Sequence, residues 1–285
     1  MPSPFSVRIG FSGLTFLFTF PSPVTLPREF TKLASAAHGP ADEEFEVRLL
    51  TEPLDPQAPL FHTEAGTELY RTTEGWLRIY TPLIAEDGCQ VACLLRPNGK
   101  NTLYYPASQW DRYARELRCM HLIGGEALLL RHNAFLLHSS VVMYKGKAVL
   151  FSGPSGIGKS TQARLWETHL GARVINGDRC VVMEKEGCFY GGGSPWSGTS
   201  GIYHPDQAPI AGIFLIEQSP ENSLTPLGRA AFAPLFTQTT VNSWDTPFMD
   251  KATRLITELL ARVPVYRLRC RPDEEAVRLA CQTLF

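Results

Sequence analysis

Gly153-Pro154-Ser155-Gly156-Ile157-Gly158-Lys159-Ser160 fits G-x-x-x-x-G-K-[ST] at every fixed position. Ahead of it, Lys147-Ala148-Val149-Leu150-Phe151 reads as a buried strand, and behind it Thr161-Gln162-Ala163-Arg164-Leu165-Trp166-Glu167 reads as the first turns of a helix. In that order, the N–H groups of the loop and of the helix start form a nest for anionic oxygens. The pattern is that of a P-loop. It predicts that residues 153–160, with Thr161, hold the phosphates of ATP. Lys159 is expected to reach the β- and γ-phosphates, and the Ser160 hydroxyl to coordinate Mg²⁺. An ordinary glycine-rich strand-to-helix turn would leave the Gly-Lys-Ser order unexplained.

Outward from the loop, Phe135-Leu136-Leu137-His138-Ser139-Ser140-Val141-Val142-Met143 reads as a strand, and Tyr144-Lys145-Gly146-Lys147 as a tight turn. The P-loop strand is therefore expected to be fed by an antiparallel hairpin, unlike the parallel βαβ arrangement of most P-loop proteins. Downstream, Ala172-Arg173-Val174-Ile175-Asn176-Gly177-Asp178 is an apolar strand ending in an acid, with Arg179 following. Asp178 is a candidate for touching the metal or for taking a proton from an acceptor hydroxyl; the bland alternative is a turn-capping aspartate. His138 reads either as a core histidine or, because its hairpin partner runs into the loop, as a neighbour of the transferred phosphate. Arg179 reads as a surface arginine or as a phosphate clamp. The small-residue run 191–201 reads as a loop able to close over a substrate or as a mobile connection, with Trp196 packed on a substrate or, the favoured reading, on the protein as core or lid. Further strands are expected at 210–217 and 264–269, and helices at 248–261 and 273–284, the last with acids in its first turn.

The composition is that of an ordinary soluble protein: 285 residues, 44% hydrophobic, 19% charged, net charge −1. No basic excess points to nucleic acid or to an anionic membrane. The seven cysteines form no C-x-x-C pair, so reduced thiols are expected and a structural zinc is not. The apolar run Ile9–Phe20 is too short to span a membrane and has no small-residue cleavage site, and it reads as strand. A cytoplasmic protein is expected.

Residues 1–108 carry apolar stretches at 6–20, 45–50, 59–62, 67–71, 76–81, 90–95 and 102–105, separated by turn signals; Asn98-Gly99 marks a hairpin. A helix is expected from about Ser108 to Leu130, with Trp110, Tyr113, Leu117, Met120 and Leu128 on its apolar face and Gly124-Gly125 kinking or dividing it. The expected division is a β-rich region, 1–108, and a P-loop domain, 109–285.

Taken together, Leu137-His138-Ser139-Ser140-Val141, the run from Lys147 to Ser160, and Val174-Ile175-Asn176-Gly177-Asp178-Arg179 resemble the C-terminal catalytic domain of HPr kinase/phosphorylase. More closely they resemble the HPr kinase-like proteins of bacteria, whose P-loop core is similar to phosphoenolpyruvate carboxykinase. The resemblance covers roughly residues 130–270. It implies an α/β (α+β) fold with a carboxykinase-like P-loop core and a mixed/antiparallel sheet. It implies an ATP- and Mg²⁺-dependent kinase acting on a serine-type hydroxyl of a protein or peptide. Asp178, Lys159 and His138 would be catalytic, Ser160 and Asp178 would hold the metal, and Arg179 would bind phosphate. Relatives encoded beside peptide-modifying enzymes make a modified peptide a candidate acceptor, and kinases of this type assemble into homo-oligomers. Where HPr kinases carry two adjacent aspartates before the arginine, this chain has Gly177-Asp178. Two other readings stay open: a small-molecule kinase with the same core, and a nucleotide-binding module that has lost catalysis.

Overall fold

Two mixed sheets organise the chain, each in its own compact unit: residues 1–10 with 14–125, and residues 11–13 with 126–285. The computed structural model describes residues 4–26, 28–34, 36–115 and 119–285.

The first unit is built on β1 (Phe5–Phe11), β2 (Leu14–Phe20), β3 (Glu43–Leu50), β4 (Leu60–Glu64), β5 (Thr67–Arg71), β6 (Trp76–Tyr80), β7 (Val91–Leu95) and β8 (Lys100–Pro106), with α1 (Arg28–Ala34) between β2 and β3. Spatial order is β1-β2-β3-β8-β7-β6-β5-β4. Strand β3 lies parallel to both β2 and β8, and β8 through β4 form an antiparallel meander. Alternation decides which face is buried: in β3, Phe45 and Val47 are buried while Glu44, Glu46 and Arg48 are exposed. Asn98-Gly99 does form the β7–β8 turn, with Gly99 at φ +75°.

The long helix expected over 108–130 is divided. A 3₁₀ turn at Ala107–Gln109 leads into α2 (Trp110–Arg115), and a second at Cys119–His121 precedes α3 (Gly125–Arg131); Glu116, Leu117 and Arg118 lie outside the described residues. Immediately before α3 stands Gly124, whose φ of +59° is incompatible with a right-handed helix and bars α3 from extending backwards. A Cβ there would also come within 2.8 Å of the Arg78 guanidinium carbon.

The second unit begins after that break. Strands β9 (Ala134–Tyr144) and β10 (Lys147–Ser152) form the antiparallel hairpin, joined through Lys145 and Gly146, both at positive φ. Then follow α4 (Lys159–Leu170), β11 (Arg173–Asn176), β12 (Arg179–Lys185), β13 (Cys188–Gly192), β14 (Gln207–Gln218), β15 (Ser223–Pro226), α5 (Phe232–Thr237), α6 (Thr246–Arg262), β16 (Val265–Cys270) and α7 (Glu274–Leu284). The path β10-β9-β12-β13-β14-β16-β15 is closed on itself by a parallel pairing of β10 with β14. The result is an α/β fold with a mixed sheet.

Two cores clothe this sheet. On one side Trp166 and Ala163 of α4 and Ala276, Val277 and Ala280 of α7 pack on Phe151 and Phe214. On the other, Leu235 of α5 and Phe248, Ala252, Leu255, Ile256 and Leu259 of α6 pack on Leu150, Ile213 and Leu215. Helices α6 and α7 start where the chain signals them: Asp245 and Asp273 each accept a backbone N–H three residues on, from Phe248 and Ala276. Among the described residues no helix is long and apolar enough to cross a membrane.

Candidate functional site

Strand β10 is buried from Ala148 to Ser152 and ends at Gly153, where the loop opens. Pro154, Ser155 and Gly156 are exposed, and α4 starts at Lys159 behind Gly158, its left-handed cap at φ +115°. The hydrogen bond from Gln162 N–H to Gly158 O spans 2.9 Å, so the amides of 159–161 have no carbonyl a turn back within the helix. A methyl group built on Gly156 or Gly158 would meet no protein atom within 4 Å. The mouth of the loop is open space.

Lys159 is only 6% exposed. Its ammonium donates to the carbonyls of Gly153 and Pro154, both at 3.0 Å, so the side chain folds back over its own loop. Burial holds its pKa below the ordinary lysine value, opposed in part by the charge of Asp178. Two serines of the flanking hairpin fix the loop's ends. Ser140 Oγ donates to Lys159 O at 2.9 Å, and Ser152 Oγ donates to His138 O at 2.9 Å.

Strand register assembles the rest. In the β9–β10 ladder Ser139 faces Ser152, the last residue before the loop, and in the β9–β12 ladder His138 faces Arg179. The turn 176–179 therefore lies beside the loop. Ser160 Oγ donates to Gly177 O at 3.2 Å, which brings the α4 start onto that turn. Fully buried Asn176 shapes it: its Oδ1 accepts from the N–H groups of Asp178 and Arg179, each at 2.9 Å, while its Nδ2 donates to Ser194 O at 3.0 Å.

Asp178 stands between two cationic or ionisable neighbours. His138 Nε2 is 3.4 Å from its Oδ1, and Arg179 Nε is 3.6 Å from its Oδ2. Both neighbours are held by a segment of no recognisable motif. Gln238 accepts the His138 backbone N–H at 2.8 Å and pairs side chain to side chain with His138 Nδ1 at 3.1 Å. Thr240 Oγ1 accepts from Arg179 Nη1 at 2.8 Å. This segment bridges to β9 at Leu137, close to where β10 has run out. Sequence reasoning missed Asn176, Gln238 and Thr240. The Asn-Gly-Asp order was a turn signal for the first, whereas nothing local marks the other two, which lie about sixty to a hundred residues away along the chain from what they hold.

The structure thus brings His138, Lys159, Ser160, Asp178 and Arg179 around one loop mouth. The run 191–201 is a packed connection over its first half: residues 191–195 are buried, and Ser194 Oγ donates to Arg179 O at 2.7 Å. Its second half lies on the Asp178 turn, since a Cβ on Gly198 would come within 2.7 Å of the Asp178 carboxyl carbon. Trp196 packs edge-on to Phe11.

Burial, with Lys159 second, holds the His138 pKa below its ordinary value; Asp178 and Gln238 pull the other way. The folded protein therefore takes up a proton at His138 less readily than the unfolded chain. Well above pH 6.5 neither state is protonated there and the residue leaves stability unchanged. As pH falls below that value, the unfolded chain binds its proton first and stability drops, until pH passes the lower folded value. Urea midpoints of the metal-free protein between pH 8 and 5 are expected to fall on the acid side, and less steeply in His138→Gln. Equal slopes in the two proteins would contradict this environment for His138.

Residues 126–273 match the family model described as SynChlorMet cassette protein ScmC. That span is more than half of the chain. The chain belongs to the ScmC family. No curated protein matches it. Among solved structures, the Hpr(Ser) kinase/phosphatase from Coxiella burnetii is similar at 11% identity over 52% of this chain and 95% of that one, with a TM-score of 0.31.

Proposed function

We propose that this ScmC-family chain is an ATP- and Mg²⁺-dependent phosphotransferase whose acceptor is a serine-type hydroxyl of a protein or peptide. The observation that carries this reading is the placement of Asp178 on a turn hydrogen-bonded to Ser160, at the edge of an open P-loop mouth. The loop amides and Lys159 would hold the phosphates, with the lysine exchanging two carbonyl partners for phosphate oxygens.

The donor set suits Mg²⁺. Ser160 offers a hydroxyl and Asp178 a carboxylate, and Mg²⁺ takes one or two carboxylates and completes its shell with phosphate oxygens and water. Consistent with so sparse a set, no cluster of three or more His, Cys, Asp or Glu suited to a metal occurs among the described residues. When bound, the metal would neutralise charge building on the transferred group. In the alternative role for Asp178, with the metal held by Ser160, phosphate oxygens and water, its carboxylate would accept the acceptor hydroxyl's proton, with His138 and Arg179 fixing it. Its side chain is 30% exposed, so an acceptor can approach it from solvent.

One observation favours a second reading, a nucleotide-binding module without turnover. Position 177 has no room for the second acid of HPr kinases, because a Cβ there would lie 2.6 Å from Ser200 Cβ. One experiment separates the readings. Transfer from γ-labelled ATP with Mg²⁺ is followed into polypeptides and metabolites of a desalted source lysate, beside Lys159→Ala. A labelled polypeptide, lost in the variant, is expected. A labelled metabolite would move the acceptor to a small molecule, and ATP binding with no label in either pool would favour the module.

A further inference from the structure

Strand β11 ends at Asn176, and the chain returns to that end on both sides of residues 197–202. Before them, the carbonyl of Trp196 accepts from Asn176 Nδ2 at 3.3 Å. After them, Tyr203 bridges to Asn176, and His204 N–H donates to Ile175 O at 2.9 Å. The six residues between these anchors are strapped across the turn that carries Gly177 and Asp178. Positive φ at Gly198 (+55°) and Gly201 (+63°) folds the strap into one 3₁₀ turn, Gly198–Ser200.

This turn meets the proposed transfer site at two points. A Cβ on Gly198 would stand 2.9 Å from Asp178 Oδ2. Ser197 and Thr199 flank that glycine, each about 3.8 Å away along the backbone, so two hydroxyl-bearing residues lie beside the carboxylate. Ser200 Cβ lies 2.6 Å from where a Cβ on Gly177 would stand, and the Gly177 carbonyl accepts the Ser160 hydroxyl at 3.2 Å. The strap therefore spans from the acid at the loop mouth to the serine that starts α4.

Its composition is that of an acceptor. Ser197-Gly198-Thr199-Ser200 carries three hydroxyls in four residues, and no residue from 194 to 203 is charged. Such a segment comes up to a nucleotide phosphate without like-charge repulsion. Ser200 Oγ is engaged within the turn, donating to Ser197 O at 2.7 Å, whereas Thr199 is exposed.

We propose that the turn 197–200 is a modification site, a phosphoacceptor that the chain's own loop and Asp178 serve in cis. The proposal rests on the phosphotransferase reading given above. In the step, a hydroxyl oxygen of the turn bonds to the γ-phosphorus of ATP. The bond from that phosphorus to the β,γ-bridging oxygen breaks, and ADP leaves with the electron pair. The hydroxyl proton passes to the Asp178 carboxylate in its base role, and to water where Asp178 holds the metal.

The purified full chain is incubated with γ-labelled ATP and Mg²⁺, denatured, and the label mapped by fragment mass spectrometry. Label is expected on a hydroxyl of 197–200 and is expected to be absent from Lys159→Ala. Because strap and site belong to one chain, the labelling rate per chain should stay within twofold across a tenfold dilution. A variant combining Ser197→Ala, Thr199→Val and Ser200→Ala should lose at least about tenfold of the label while binding ATP within twofold of wild type. Should that variant misfold by circular dichroism, the map and the dilution series on the wild-type chain decide alone. Label outside 197–200, or a per-chain rate that falls in proportion to dilution, would overturn the proposal. So would an unlabelled chain whose preparation labels a polypeptide or metabolite of the source lysate, an outcome that leaves the phosphotransferase reading standing. No label in the chain or in either pool removes both.

Discussion

Asp178→Asn is expected to lower the rate of phosphoryl transfer by about 10²- to 10⁴-fold, the usual contribution of a general base. Asparagine keeps the shape of the side chain and cannot take up the proton. The loop residues that would cradle phosphate are untouched, so ATP affinity should persist and the loss should fall in kcat. Folding should persist as well. The side chain is 30% exposed and its partners His138 and Arg179 stand at 3.4 and 3.6 Å, and pairs of that kind contribute about 0–1 kcal/mol. Titrating Mg²⁺ in the same assay assigns the role. A rate loss at an unchanged Mg²⁺ requirement identifies a base, and a raised requirement identifies a metal partner. A variant that retains wild-type kcat at ordinary Mg²⁺ would remove Asp178 from the chemistry.

Trp166→Ala is expected to be the most damaging single truncation in the P-loop unit. Trp166 is fully buried on the inner face of α4, edge-on to Phe151 of β10 at 5.7 Å and to Tyr144 of β9 at 5.9 Å. It couples the helix that starts at Lys159 to the hairpin that feeds the loop. Truncating a buried aromatic to alanine costs about 3–5 kcal/mol, because the transferred surface and the residual cavity both count against the fold. For a unit of this size that corresponds to a fall in Tm of about 10 °C. Trp166→Phe tests the cause. It keeps an aromatic edge on both neighbours and removes an indole N–H that has no hydrogen-bond partner among the described residues, so it should cost well under half as much. A Trp166→Ala protein that melts within about 2 °C of wild type would mean that α4 does not depend on this packing.

Much of the P-loop unit was legible because its signals are local. The strand before the loop and the helix after it carry opposite periodicities, and the turn at Lys145-Gly146 needs positive φ at both residues, so the antiparallel feed could be read directly. Over 108–130 the Gly124-Gly125 signal marked a division, and the positive φ at Gly124 bars a continuous helix there. Apolar spacing hid the earlier stop: α2 ends at Arg115 and a 3₁₀ turn stands at Cys119–His121. Strands β13 and β15 and helix α5 left little trace. They are four to six residues long, and β13 ends in two glycines, too short a run for any periodicity to register.

What the chain encodes locally is the loop and its flanks: glycines for an open loop, a lysine and a serine at the start of a helix, and an acid at the end of a strand. Those choices depend on neighbours along the backbone, so the order of residues suffices to fix them. The constellation around that loop is a product of long-range pairing. His138 meets Arg179 and Asp178 through the β9–β12 register, and Gln238 and Thr240 arrive through a bridge to β9. A shift of one residue in either pairing would turn the side chains to the other face. Register is set by burial on both faces of the folded sheet, which no stretch of the chain possesses before it folds.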